Sequence, residues 1–247
     1  MESLSPWAWA AMAAAVTVGY TVFGLVGFGA TLVATPVLAL MLPLKVAIPL
    51  MLLFDLGATV ALGLRNWRQV AWREWLRLVP CMLLGQFVGV GALVGLPTAP
   101  LLLGLGVFVI ANALWSLFAP QAQGRASAWW ALPTGLVGGT FGGLFGTGGP
   151  LYAIYLSRRL DGMSALRATT ASLILVSAWL RLSLYIAAGL YADTRLLWLA
   201  LSLAPACLAG AWVGSRLHGQ WPPDVVRRAL FIVLLVGGAA AIAKALA

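Results

Sequence analysis

From Trp7 to Leu42 the chain runs 36 residues, mostly apolar and without one charged side chain. As one α-helix that run would be about 54 Å long at 1.5 Å per residue. The hydrocarbon core of a bilayer is only about 30 Å thick. The run must therefore break, and its composition offers the break at Gly27-Phe28-Gly29, with Pro36 beyond. This predicts a first arm over Trp7–Val26 and a shorter second arm over Ala30–Leu42. The same problem recurs at Trp129–Leu156, which is interrupted at Gly146-Thr147-Gly148-Gly149. Other apolar runs, 46–64, 78–96, 101–118, 168–190, 196–217 and 225–245, each have the length of one crossing. With 62% hydrophobic and 9% charged residues, against about 25% charged in soluble domains, the fold class is an all-α polytopic membrane protein. The first residues lack the basic start of a cleaved signal peptide, so the first apolar segment is expected to be retained.

The two interrupted segments are copies of each other. Shifted by 119 positions, Gly19, Gly24, Gly27 and Gly29 fall on Gly138, Gly143, Gly146 and Gly148, and Leu25 falls on Leu144. Later in the halves a shift of 125 carries Pro80, Gly85, Gly89 and Pro97 onto Pro205, Gly210, Gly214 and Pro222. We read a first transmembrane repeat over 1–120, a linker over 121–127 and a second repeat over 128–247, each built around a broken helix.

Charge decides how the repeats are related. If each interrupted segment crosses once, the loop cations divide seven against seven and no orientation results. If each is a hairpin, the halves have odd parity and the second is inverted. One side then holds Arg65, Arg68, Arg73, Arg77, Arg125, Arg158, Arg159, Arg167, Arg216, Arg227 and Arg228, and the other only Lys45, Arg195 and Lys244. Such a bias is what the positive-inside rule requires. The expectation is two inverted five-segment repeats, about ten membrane helical segments, with both termini outside. The net charge of +9 thus reflects topology, not nucleic acid. Trp67, Trp72 and Trp75 flank the first basic loop, taken as 65–77, at interface depth; the second is taken as 157–167.

A broken helix frees N–H groups at the start of its second arm, and the helix dipole there favours an anion. In inverted halves two such arms would meet near the midplane and serve one small oxyanion. The candidate substrate ligands are Gly27, Phe28, Gly29, Ala30 and Thr31 at the first break and Gly146, Thr147, Gly148 and Gly149 at the second. Pro150 suits a first helical turn, where its missing N–H is no loss. Two charges lie inside apolar helices, Asp55 and Arg181, and such charges are costly and usually functional. A guanidinium matches oxyanion geometry, so Arg181 is a candidate anion ligand; Asp55 is its ion-pair partner or the carrier of a coupling proton. The competing account makes the glycines close helix contacts and Asp55–Arg181 a structural pair. Gln86 and Asn112 read as interhelical glue, Trp179 and Trp212 as packing residues, and Cys81 and Cys207 as small buried ones. One histidine, His218, and no CxxC leave no metal cluster, and nothing implies a cofactor. No catalytic group is apparent: a nucleophile–base pair or carboxylate dyad within the membrane is missing from the sequence.

At these glycine motifs, Gly24-Leu25-Val26-Gly27-Phe28-Gly29-Ala30 through Pro36 and Gly143-Leu144-Phe145-Gly146-Thr147-Gly148-Gly149-Pro150, the chain resembles the sulfite exporter TauE/SafE family of membrane permeases over nearly its whole length. Phe28 and Ala30 in the first motif, and Thr147 in the second, depart from the family's triple glycine. The resemblance implies transport, as an exporter, of sulfite, sulfoacetate or another organosulfonate. The residues by themselves reach only a small anion; the leading expectation is a secondary transporter in the lipid bilayer of the plasma (inner) membrane, working by alternating access, with room for a homo-oligomer. An anion channel and a non-transporting assembly subunit are the alternatives.

Overall fold

The structure, a computed structural model, describes residues 5–27, 29–63, 68–118, 126–217 and 223–246. Phe28, Arg65, Trp67, linker residues 121–125 and His218 lie outside the described residues. Those described form ten α-helices: α1 Pro6–Val26, α2 Ala30–Met41, α3 Leu44–Gly63, α4 Trp72–Gly95, α5 Thr98–Phe118, α6 Ala131–Phe145, α7 Gly149–Ser157, α8 Met163–Ala187, α9 Thr194–Leu217 and α10 Pro223–Leu246. A short 3-10 turn, Ala128–Trp130, leads into α6. No strand occurs among the described residues. Stretches of α1, α4, α5, α8, α9 and α10 are each long and apolar enough to cross a membrane.

Both long apolar segments break where expected, and by the same device. Gly27 ends α1 at φ 91° and Gly146 ends α6 at φ 75°; the two are 119 residues apart, in the register of the repeat. Each caps its helix, Gly27 N donating to Phe23 O at 2.7 Å and Gly146 N to Gly142 O at 2.9 Å. A residue with a Cβ pays about 1–2 kcal/mol in this left-handed conformation. The chain then folds back. Ala126 N, before α6, donates to Arg158 O, after α7, at 3.2 Å, so the segment returns to the end from which it entered. In the first segment, Gly19 on α1 packs against Ala30 at the start of α2, where a Cβ on Gly19 would lie 2.9 Å from Ala30 O.

Helices α4 and α8 begin earlier than their apolar runs, at Trp72 and Met163. The expected loops over 65–77 and 157–167 are shorter for it. Hydropathy marks the hydrocarbon core, whereas a helix can continue into the headgroup layer, where its polar first turn is solvated.

The chain divides into two compact units that are not its sequence halves. Unit 1 comprises Met1–Phe54, Leu96–Ala119 and Asp193–Ala247; unit 2 comprises Asp55–Gly95 and Pro120–Ala192. In unit 2, α4 lies along α6; in unit 1, α9 lies along α1. Each pair joins helices from different halves, and each uses the same contacts. A Cβ on Gly85 or Gly89 of α4 would run into Leu136 O or Thr140 O of α6. On α9, Gly210 and Gly214 meet Thr17 O and Thr21 O of α1 in the same way. Reciprocally, Gly143 of α6 faces Gln86 O and Val90 N, as Gly24 of α1 faces Ala211 O and Ser215 N. Every one of these correspondences obeys the shifts of 119 and 125. Glycine here lets backbones touch, the small-residue packing by which membrane helices associate without a hydrophobic drive.

At one end of unit 2 a buried carboxylate collects the helices. Glu74, in the first turn of α4 and 6% exposed, accepts from Arg159 Nη2 at 2.6 Å, Arg77 Nη1 at 2.7 Å and Tyr155 OH at 2.6 Å. Arg159 also donates to Ala126 O at 3.0 Å. Trp179 and Trp212, expected to pack inside, are 55% and 59% exposed, on faces that meet lipid in a spanning protein.

Substituting Gly89→Ala drives a Cβ into Thr140 O and is expected to cost about 1–3 kcal/mol by overpacking. Gly91→Ala, in the same helix with nothing within 4 Å, is expected to be neutral or stabilising. Melting temperatures of the two variants in detergent check this; equal melting would show that the α4–α6 contact is not limiting.

Candidate functional site

In unit 2 the second break, Arg181 and Asp55 belong to one neighbourhood, and α8 organises it. Ser177, Arg181 and Tyr185 follow one another at four-residue spacing and so share a face. All three are buried, Arg181 to 2% exposure. Ser177 faces Gln86 of α4, whose Nε2 donates to Ser177 O at 3.1 Å and also contacts Ser177 Oγ. Tyr185 OH donates to Gly143 O at 2.7 Å, one of the carbonyls that the last turn of α6 leaves without an intrahelical partner. Arg181 therefore projects between two side chains that grip α4 and α6 beside the break.

Its own bonding is incomplete. Arg181 Nη2 lies 4.0 Å from Asp55 Oδ2, at the outer limit of an ion pair, and Arg181 Nε finds no hydrogen-bond acceptor. Two neighbours share this condition. Tyr152, in the first turn of α7 and 1% exposed, has an unpaired hydroxyl, and so does the carbonyl oxygen Oε1 of Gln86, 0% exposed. Arg181 acts electrostatically on both Tyr152 and Tyr185. Buried polar groups are nearly always satisfied, and these three bare ones can each take a polar partner.

The predicted residues fall as follows. Gly146 forms the left-handed cap. Thr147 is buried, its hydroxyl 3.4 Å from Phe141 O. Gly148 is the N-cap of α7 and Gly149 opens it, with Pro150 in the first turn; a Cβ on Gly148 would lie 2.5 Å from Gly138 O and 2.9 Å from Tyr152 OH. Gly27, Gly29, Ala30 and Thr31 belong to unit 1, where Gly29 caps α2 at φ 99° and Ala30 and Thr31 are buried. Gln86 bridges α4 to α8 as expected of glue, but Asn112 spends its amide within α5, on Phe108 O. Cys81 is half-buried and Cys207 is buried, and neither forms a disulfide among the described residues. Sequence reasoning missed Tyr152, Ser177 and Tyr185. Tyrosines are ordinary in apolar helices; only the four-residue spacing from Arg181 pointed to Ser177 and Tyr185.

A family profile described as sulfite exporter TauE/SafE matches residues 11–241. The chain is 31% identical over 193 residues to the probable inner membrane transporter protein TsaS of Comamonas testosteroni, covering 76% of this chain and 80% of that one. No solved structure shows a significant match.

Removing one member of a buried pair leaves an uncompensated charge, at a cost of about 3–5 kcal/mol. Asp55→Asn is expected to lower stability on that scale, and Asp55→Asn with Arg181→Gln to recover part of it. A double-mutant cycle on unfolding free energies checks the coupling; additive losses would show that the two side chains do not interact.

Proposed function

Because the chain belongs to the sulfite exporter TauE/SafE family of membrane transporters, we propose that it moves a small sulfur-containing anion, such as sulfite, sulfoacetate or another organosulfonate, across the inner membrane by alternating access. The observation that carries this reading is Arg181: a guanidinium buried to 2% exposure with an unpaired Nε, on the helix face beside the second glycine break. Nearby stand the first N–H groups of α7, which have no intrahelical acceptor and favour negative charge. Gly146, Thr147, Gly148 and Gly149 are the proposed ligands at this break, and Gly27 to Thr31 at the other. Asp55 balances Arg181 when no anion is bound and carries any coupling proton. A buried cation with a loose partner can exchange that partner for a substrate at little cost.

The repeats are proposed to be inverted, with ten membrane segments, both termini outside and the eleven loop arginines cytoplasmic. The meeting of Arg77 and Arg159 on Glu74 supports the count that assigns them to one side. Export then gains about 2.3 kcal/mol per 100 mV for a monoanion leaving a negative interior.

A thermal-shift screen of the purified chain against sulfite, thiosulfate, sulfoacetate, taurine and sulfate tests the binding claim. A ligand at 100 times its Kd stabilises by about 2.7 kcal/mol, and Asp55→Asn with Arg181→Gln is expected to abolish the response. If no anion stabilises the wild type, or the variant responds equally, the anion site is elsewhere. Saturable counterflow in proteoliposomes is the expected kinetic signature; unitary currents would indicate a channel. A reporter fused after Lys244 is expected to read outside, and a cytoplasmic reading would overturn the orientation.

A further inference from the structure

Gly142 has no structural reason to be glycine. It lies inside α6 with ordinary backbone angles, where alanine is the better helix former. Its neighbours are different. A Cβ on Gly143 would come within 2.7 Å of Gln86 O, and one on Gly139 would strike Met82 O, so both are needed for the close contact with α4. At Gly142 the Cβ position is free of backbone. Its nearest atoms are Ser177 Oγ and Tyr152 OH at 3.7 Å and Gln86 Nε2 at 3.8 Å. The missing side chain leaves a small space walled by three polar groups, one helical turn along α8 from Arg181.

The bonding state of those walls restricts what fits. Ser177 O can only accept, so the nitrogen of the Gln86 amide must face it, and Oε1 is left as the bare end. Tyr152 OH and Arg181 Nε offer hydrogens with no acceptor. The site thus presents unpaired donors and one unpaired acceptor. An ion that only accepts, such as sulfate, would satisfy the donors but bury Gln86 Oε1 unpaired, at the full desolvation cost of that group. A guest with both kinds of group satisfies all of them.

Building on the anion reading above, we propose that Gly142, Gln86, Ser177 and Tyr152 form a subsite beside Arg181 that reads a hydrogen-bond donor on the substrate, so that the transported species is a sulfur oxyanion bearing its own O–H or N–H. Arg181 holds the anionic head, Tyr152 donates to it, and Gln86 Oε1 accepts from the substrate's donor. Protonated sulfite, a hydroxysulfonate and an aminosulfonate all share this chemistry.

Ethanesulfonate and 2-hydroxyethanesulfonate have the same charge and similar size and differ by one hydroxyl, and taurine replaces that hydroxyl with an ammonium group. Titrating all three into the purified full-length protein is expected to show the hydroxyl or the ammonium compound binding at least about tenfold tighter than ethanesulfonate, since sites built around a substrate hydrogen bond reject analogues that lack it. Which of the two is preferred identifies the donor. Gly142→Ala fits without a clash and is expected to keep or raise the ligand-free melting temperature while erasing the preference. Equal binding of all three compounds by the wild type, or a preference that survives Gly142→Ala, overturns the subsite and leaves the anion reading standing. Failure of every sulfonate and of sulfite to bind overturns both.

Discussion

At the end of α6 the chain leaves helical geometry inside a segment that has no polar face. The carbonyls it frees there are taken up at once. Gly146 N returns to Gly142 O, and Tyr185 reaches across from α8 to Gly143 O. No water is available in hydrocarbon to do this, and an unsatisfied backbone group costs several kcal/mol. A break at this depth is therefore only as stable as the neighbours that cover it. α8 must pass close by and α4 must lie flush along α6, and the glycines of α4 and α6 serve that last approach. The site inherits its position from the same requirement, because the helix that repairs the break also carries Arg181.

The glycines that look like one motif in the sequence have separate roles in the fold. Gly27 and Gly146 turn the chain, through a backbone angle that a side chain resists. Gly24 and Gly143 bring helices into backbone contact and need no special angle. Gly142 does neither, and it is the one beside the unpaired polar groups. The first two roles recur in both units at positions matched by the shifts of 119 and 125. α1 with α9 and α6 with α4 are the same joint made twice, each time from one helix of each half. Each joint thus ties a helix of the first half to one of the second.

Two buried charge clusters of unit 2 differ in how completely they are satisfied. Glu74 accepts from Arg77, Arg159 and Tyr155, and Arg159 spends a further donor on Ala126 O. That cluster holds the returning arm of the break against α4. At the second cluster Arg181 Nη2 stands 4.0 Å from Asp55 Oδ2, and Arg181 Nε has no acceptor. A satisfied network resists change, whereas an under-satisfied one admits a partner. The first is structural on this criterion; in the second, Arg181 Nε is open to an acceptor.

Much of this was legible in the amino-acid sequence. The length of the first apolar run against the thickness of a bilayer forced the break, the glycines located it, and the shifts of 119 and 125 matched the glycines that make the helix contacts. Charge scarcity singled out Asp55 and Arg181, because a charge in an apolar helix is conspicuous without any knowledge of its neighbours. Partner choice was not legible. That α4 packs on α6 and α9 on α1 follows from which backbones can approach, and glycine spacing is the same whichever helix it meets. Tyr152, Ser177 and Tyr185 stayed hidden for a related reason: a hydroxyl in an apolar helix is unremarkable until its surroundings show whether it has a partner. Periodicity and solvent determined the helices and their interruptions; only the tertiary structure decided which polar atoms were left unpaired beside one another, since hydrogen-bond satisfaction belongs to atoms brought together across the fold.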